Sequence, residues 1–106
     1  MARALINVPA TAKLGEVIEI KALISHPMET GFRTGESGAL VPRDIIQRFT
    51  CSYNGEEIFN AELFPAVSAN PFFAFTAIAK KSGTLTFRWV DNHGREQVET
   101  AAIAVS

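Results

Sequence analysis

Apolar and polar residues alternate along most of this chain, which is the pattern of β-strands that bury one face and expose the other. The alternation is clearest from Ile18 to Ile24 and from Leu85 to Trp89. Five such strands are predicted to turn these residues inward: Ile18, Ile20, Ala22 and Ile24; Ile45, Phe49, Cys51 and Tyr53; Phe59, Ala61 and Leu63; Phe73, Phe75, Ala77 and Ala79; and Leu85, Phe87 and Trp89.

Turn signals separate these strands. Asn54-Gly55 is the strongest of them, because a two-residue type I′ hairpin turn needs positive φ at both central positions. Lys80–Gly83 and Asp91–Gly94 predict two further turns.

A short strand around Ala4–Val8 and a last strand from about Arg95 to Val105 complete the prediction. The apolar positions of the last strand change parity near Thr100–Ala102, which predicts a β-bulge there. About seven short antiparallel strands without a helix indicate an all-β chain folded as a β-sandwich. Residues 1–106 are expected to form a single domain.

Two connections are too long for hairpin turns, His26–Pro42 and Phe64–Pro71. Long loops in compact domains are commonly functional or mobile, so we expect the function to lie there. The octamer His26–Arg33 is consistent with a strand end fixed by proline and a glycine turn. It is equally consistent with a presented surface, since Met, Phe and Arg are enriched in the cores of interfaces. The segment Ser68–Pro71 likewise reads as a turn or as a contact loop.

Composition and charge narrow the function without choosing a chemistry. The chain has 106 residues, of which 47% are apolar, and carries 10 Lys+Arg against 11 Asp+Glu. This near-neutral balance argues against binding to nucleic acid or to an anionic membrane, because both require clustered cations. No apolar run approaches the ~18–20 residues of a membrane-spanning helix.

Candidate chemistry is sparse. Cys51 is the single cysteine and lies on the predicted inward face, where a cysteine behaves as a small apolar residue rather than as a nucleophile. His26, Met28, Cys51 and His93 include the ligand types of a copper site, but their order along the chain does not match one, so we expect no metal. No paired carboxylates, glycine-rich phosphate loop or Ser/His/Asp set is evident, so we expect no enzyme.

The residues Met1–Pro9 carry one positive charge but neither the apolar segment nor the cleavage site of a signal peptide. Taken alone, this favours the cytosol. A subunit exported together with a signal-bearing partner would look the same, and both alternatives stay open.

Four segments of the chain resemble the SoxZ family: ISHPMETGFR (Ile24–Arg33), VPRDIIQRFTCSYNGEEIFNAEL (Val41–Leu63), PAVSANPFFAF (Pro65–Phe75) and SGTLTFRWVDNHG (Ser82–Gly94). SoxZ is the small subunit of the SoxYZ sulfur-carrier complex of bacterial thiosulfate oxidation. The resemblance implies an immunoglobulin-like sandwich that has no catalytic group and no cofactor.

The resemblance also implies partners and a compartment. SoxY would be the obligate heterodimer partner, carrying sulfur intermediates on a cysteine near the end of its flexible C-terminal arm. Contacts with the Sox cytochrome and the sulfate-releasing enzymes would be transient. The complex would be periplasmic, with this subunit exported together with SoxY. An exposed apolar partner surface would also allow the isolated subunit to form a homodimer.

From these observations we expect the His26–Arg33 segment to face SoxY or the enzymes, with Met28 and Phe32 as exposed apolar anchors. The alternative is a thiol carrier or redox protein that acts through its own Cys51. The candidate partner-binding residues lie in the two long connections and are His26, Met28, Glu29, Phe32, Arg33, Ser68 and Asn70.

Overall fold

The computed structural model describes residues 3–106, which form eight strands. In chain order these strands are β1 Ala4–Asn7, β2 Thr11–Ala12, β3 Val17–Ile24, β4 Ile46–Tyr53, β5 Glu56–Glu62, β6 Phe72–Ile78, β7 Gly83–Asp91 and β8 Glu96–Val105. The described residues contain no helix of the length and apolarity needed to cross a membrane.

The strands form two sheets, one of three strands in the order β1-β3-β6 and one of five in the order β2-β8-β7-β4-β5. Aromatic side chains join the sheets across the core. Phe49 on β4 stacks on Phe73 of β6, with ring centroids 4.7 Å apart, and Phe59 on β5 stacks on Phe75 of β6 at 4.3 Å. The predicted β-sandwich is therefore confirmed.

The predicted core is confirmed at its centre. Alternation along β3 and β7 buries one face of each strand, and Trp89 is the largest side chain that is fully buried. Phe73, Phe75 and Phe59 lie nearer the edge and are only partly buried. Burying a large apolar side chain contributes about 1.5–3 kcal/mol, so the aromatic cluster supplies much of the stability.

One additional strand was not predicted. β2 pairs in parallel with β8, through Thr11 with Ala104 and Ala12 with Val105. Backbone hydrogen bonds extend this pairing from Ala104 N–H to Ala10 C=O (2.9 Å) and from Leu14 N–H to Ser106 C=O (3.0 Å). The two-residue strand is too short to show an alternating pattern in the sequence.

The bulge predicted near Thr100–Ala102 is wrong. β8 keeps one unbroken register with β7, and its half-buried face continues through Gln97, Glu99, Ala101 and Ile103. Two of these residues are polar, and Gln97 Nε2 donates to Glu99 Oε1 at 2.9 Å. Because polar residues occupy the half-buried face there, the apolar positions change parity although the backbone register does not. The register shifts occur instead in the pairings of β4. One lies between Ile46 and Arg48 in the pairing with β7, and the other lies between Cys51 and Ser52 in the pairing with β5, where the extra residue is Ile58 on β5.

The connections divide between the two ends of the sandwich. We call one end the loop end; it comprises residues 25–45, 63–71 and 92–95. The opposite end, the turn end, comprises residues 13–16, 54–55 and 79–82. Both long connections that the sequence singles out lie at the loop end.

Candidate functional site

The two long connections are fastened to each other at the loop end. The backbone N–H of His26 donates to Asn70 Oδ1 at 2.9 Å, and the backbone N–H of Asn70 donates to the carbonyl of His26 at 2.8 Å. Asn70 adopts a φ of 54°, a left-handed conformation that asparagine tolerates better than most residues. The structure thus brings His26 and Asn70 together, while Ser68 lies exposed nearby in the same loop.

The expectation that Met28 is an exposed anchor is wrong. Its side chain is 5% exposed and belongs to the hydrophobic core. The residue has a φ of 51°, its backbone N–H donates to His26 Nδ1 at 3.0 Å, and its sulfur accepts the N–H of Ile46 at 3.2 Å. The left-handed turn directs Met28 under the loop, so the residue supports the surface from below.

His26 is buried as well, and its two ring nitrogens have different partners. Nδ1 accepts the Met28 N–H, so in this arrangement the ring proton is on Nε2, which lies 3.4 Å from Asp44 Oδ1. Asp44 Oδ1 also lies 3.4 Å from the guanidinium of Arg95 and 3.9 Å from Nε2 of His93. Asp44 therefore joins the 25–45 segment to residues 92–95, a role that its position just before β4 did not reveal.

Asp91 fixes the segment from Asn92 to Arg95. It is 1% exposed and accepts the backbone N–H groups of His93 (2.9 Å) and Arg95 (2.8 Å) on Oδ1 and the Arg95 Nε on Oδ2 (2.8 Å). Burial on its own raises the pKa of Asp91, but the hydrogen bonds from Arg95 and His93 and the charge of Arg95 bring the pKa below its ordinary value. A charged carboxylate is thus the anchor of this loop.

Glu29 and Arg33 form an exposed ion pair within the predicted octamer. Arg33 donates from Nε to Glu29 Oε2 at 3.1 Å and from its terminal nitrogen to Oε1 at 2.9 Å. This contact lowers the pKa of Glu29 and raises that of Arg33. The backbone of Glu29 forms a two-way bridge with Asp44, N–H to C=O at 2.8 and 2.9 Å, which ties the octamer to the approach of β4.

Phe32 is exposed, as predicted, and a cation holds it in place. Its ring is 74% exposed, and the guanidinium carbon of Arg43 lies 5.6 Å from its centroid. Arg43 Nε donates to the carbonyl of Thr30 at 2.9 Å, which fixes the cation above the ring. Gly31 allows the close approach, because a Cβ there would lie 3.1 Å from the Cβ of Arg43, and its φ of 91° favours glycine.

The remaining exposed surface of the loop end is apolar in places. Leu40 and Phe64 are 63% and 61% exposed, and Leu40 pairs with Thr34 in a small bridge, so the connection is an ordered ribbon rather than a free loop. A groove of about 400 Å³ runs beside Phe64 and is lined also by Arg43 and Arg48. Arg43 therefore connects the exposed Phe32 ring to this groove.

Cys51 does not belong to this surface. It lies on β4 with no exposed area, and burial raises the pKa of its thiol to about 12. Within residues 3–106 no three His, Cys, Asp or Glu side chains are grouped so that they could hold a metal ion. The loop end is thus an ordered surface that presents aromatic, aliphatic and guanidinium groups, and the thiol of Cys51 is not part of it.

Comparisons with known proteins agree with the resemblance noted in the sequence. Residues 6–102 match the family model described as sulphur oxidation protein SoxZ. No curated protein is significantly similar to the chain in sequence.

Several solved structures share the fold. The superoxide reductase (neelaredoxin) of Ignicoccus hospitalis is 17% identical, with a TM-score of 0.75 over 99% of this chain and 82% of its own. The sulfur carrier protein SoxY of Chlorobium limicola f thiosulfatophilum is 12% identical, with a TM-score of 0.69 over 97% and 78%. The CARDB domain of a Pyrococcus furiosus protein is 12% identical, with a TM-score of 0.62 over 98% and 93%. At these identities the likeness is one of fold, and it agrees with the immunoglobulin-like class predicted for the sandwich.

Proposed function

The chain belongs to the SoxZ family, and from that premise we propose that it is the non-catalytic subunit of a SoxYZ sulfur carrier. It is a sulfur-oxidation protein of the Sox system. Its task would be to bind and stabilise SoxY, whose C-terminal cysteine carries sulfur intermediates during thiosulfate oxidation. It would also help to present that arm to the Sox cytochrome and the sulfate-releasing enzymes.

The observation that carries this proposal is the contrast between Cys51 and the loop end. The only thiol of the chain is inside the core, where its raised pKa keeps it protonated and unreactive. The ordered loop end instead exposes Phe32, Leu40 and Phe64. Large apolar side chains held rigidly in solvent are typical of a surface that a partner covers.

We assign the SoxY contact to the part of the loop end around Phe32 and Arg43. Aromatic and arginine side chains are enriched in the cores of protein interfaces. Arg43 lies over the Phe32 ring and favours one orientation of it, which would lower the side-chain entropy that binding costs there. Glu29, Arg33, Ser68 and Asn70 would surround this contact, while His26 and Met28 would support it from within.

The test is affinity for SoxY measured with matched variants. Phe32→Ala is expected to weaken binding of purified SoxY about ten-fold or more, the loss associated with a hot spot. Leu14→Ala is the control, because Leu14 is 69% exposed but lies at the turn end. Equal affinities of both variants and the wild type would overturn the assignment of the surface. Failure of the wild type to bind SoxY would overturn the function.

The proposed compartment is the periplasm, reached by export with SoxY. Fractionation of cells that lack the SoxY signal peptide tests this point. The chain should then remain in the cytoplasm, whereas periplasmic recovery without SoxY export would contradict joint export.

A further inference from the structure

The free edge of β6 lacks the features that normally protect the edge of a sheet. Its sequence from Phe72 to Ile78, FFAFTAI, contains no charge, proline or glycine. Native edge strands are usually short, charged, bulged or interrupted by proline, because an exposed ladder of N–H and C=O groups pairs readily with another strand. The other edges follow this rule: β1 has four residues, β2 has two, and β5 carries three glutamates.

The backbone groups that β6 offers can be assigned from its pairing with β3. At one end of the pair Ile24 N–H donates to Pro71 C=O at 3.2 Å, and at the other Ala79 N–H donates to Glu16 C=O at 2.8 Å. In an antiparallel ladder, successive residues direct their backbone N–H and C=O groups to alternate sides of the strand. The backbone groups of the odd-numbered residues of β6 therefore face β3. Within residues 3–106, β3 is the only strand paired with β6. The N–H and C=O groups of Phe72, Ala74, Thr76 and Ile78 therefore point outward.

We propose that a second copy of this chain pairs with β6, antiparallel and about a two-fold axis at Phe75. In this register Phe72 lies opposite Ile78 of the second copy and Ala74 lies opposite Thr76. In this register each residue whose N–H and C=O groups point outward lies opposite another such residue, so the two can exchange two backbone hydrogen bonds. The inference stands apart from the proposed function, because it concerns another surface and needs no SoxY.

The side chains favour the same register. Phe72 and Ile78 are 57% and 53% exposed, and the antiparallel register sets each beside the other. Leu23 neighbours Phe72 on β3 and Val17 neighbours Ile78, so the two copies would share one continuous apolar row. Cross-strand apolar pairs of this kind stabilise a sheet.

Charge also selects the antiparallel copy. Lys80 and Lys81 follow β6, and the residues just before it, Asn70 and Pro71, are uncharged. Antiparallel pairing places the lysines of one copy near the uncharged end of the other. Parallel pairing would place the four lysines together, which like-charge repulsion disfavours.

Sedimentation equilibrium of the isolated chain over a range of concentrations tests the proposal. The wild type should show a monomer–dimer equilibrium. Thr76→Pro should be monomeric, because proline removes an outward N–H without touching the ladder to β3. Asn60→Pro is the matched control on β5: Leu63 N–H donates to Gln47 C=O at 2.9 Å, which makes Asn60 another outward-facing edge residue. This control should still dimerise.

A pair of double variants tests the register even if Thr76→Pro folds poorly. Ala74 and Thr76 have exposed side chains and lie opposite each other twice in the dimer. Ala74→Lys with Thr76→Lys opposes like charges and should weaken dimerisation about ten-fold relative to Ala74→Lys with Thr76→Glu, which opposes unlike charges. Circular dichroism should show the same fold for both.

A wild type that stays monomeric at every concentration overturns the proposal, as does equal dimerisation of the two double variants. Loss of SoxY binding in Thr76→Pro, together with a monomeric wild type, would mean that a SoxY strand occupies this edge instead of a second copy. Phe32→Ala should leave the monomer–dimer equilibrium unchanged, which separates this inference from the assigned SoxY contact.

Discussion

The two ends of the sandwich are ordered by different means. At the turn end the connections are short. Asn54 and Gly55 form a two-residue turn with φ values of 50° and 85°, and Asn54 Oδ1 accepts the N–H of Thr84 on β7 at 2.9 Å. The phenolic hydroxyl of Tyr53 bonds the carbonyl of Lys81 in the adjacent turn. At the loop end the connections are long, and contacts such as that of His26 with Asn70 fasten one connection to the other. The comparison teaches that a long connection can be as firmly held as a tight turn and still leave apolar side chains in solvent.

The largest expected effect is on the reactivity of a thiol in the core, between the two ends. The pKa of the Cys51 thiol, raised to about 12, lowers its thiolate fraction at neutral pH about a thousand-fold relative to an ordinary cysteine. Iodoacetamide should therefore leave Cys51 unmodified in the folded chain and label it in denaturant, as read by mass spectrometry. Ser68→Cys, placed on the loop end with Cys51→Ser, should react quickly. Rapid labelling of native Cys51 would revive the thiol-carrier alternative.

The buried support of the loop end should be costly to remove. Met28→Ala deletes a core side chain and the sulfur that accepts the Ile46 N–H, and we expect a loss of about 2–5 kcal/mol in the free energy of unfolding. Urea denaturation measures this loss. Leu14→Ala at the turn end removes an exposed side chain and should change stability by less than about 0.5 kcal/mol. Similar values for the two variants would contradict the burial of Met28.

The carboxylate that anchors the Asn92–Arg95 segment predicts a pH dependence. The pKa of Asp91 is lower in the folded state than in the unfolded chain, so its stabilisation is complete above the ordinary aspartate pKa and is lost as the pH falls towards the folded value. Asp91→Asn should cost about 1.5–3 kcal/mol at neutral pH. The difference from the wild type should shrink on acidification. A difference that is constant from neutral to acidic pH would exclude this role for the charge.

Replacing glycine by alanine should be costly beside the turn end and nearly neutral at one position of the loop end. A Cβ on Gly83, the first residue of β7 beside the turn end, would overlap the side chain of Asn54, whereas a Cβ on Gly35 at the loop end would make an ordinary 3.5 Å contact with Val41. Gly83→Ala should therefore destabilise by about 1–3 kcal/mol through overpacking. Gly35→Ala should be near neutral in thermal melts. Equal melting temperatures would show that Asn54 moves aside without cost.

Much of the sandwich could be predicted from the sequence, because a strand with one buried face shows its burial directly in the alternation of residues. Ile20 and Phe87 lie inward where the pattern put them. The pattern failed in β8, where the half-buried face carries Gln97 and Glu99. The hydrogen bond between their side chains allows both residues to be half-buried. The spacing of apolar residues in the sequence cannot reveal such a polar pair.

The loop end was less predictable because its burial depends on contacts between distant segments. Met28 reads as an exposed residue between a proline and a glutamate, yet one left-handed residue turns it into the core. Asp44 and Asp91 accept many of the polar contacts that order this end. The only indication of them in the sequence was the turn predicted at Asp91–Gly94. Exposure of Phe32 was predicted from the enrichment of Met, Phe and Arg in the cores of interfaces, the same argument that failed for Met28. Whether the seven candidate residues bind a partner stays a prediction.

The parallel pairing of β2 with β8 has a consequence for the order of events during synthesis. β2 precedes the other four strands of its sheet in the sequence, and its only paired strand in the described chain, β8, follows all of them. The hairpins β4–β5 and β7–β8 can form from neighbouring residues, whereas β2 must wait while most of the polypeptide is elongated behind it. β2 therefore stays without its partner strand until β8 has been synthesised, and this edge of the five-stranded sheet forms after the strands between β2 and β8 have been made.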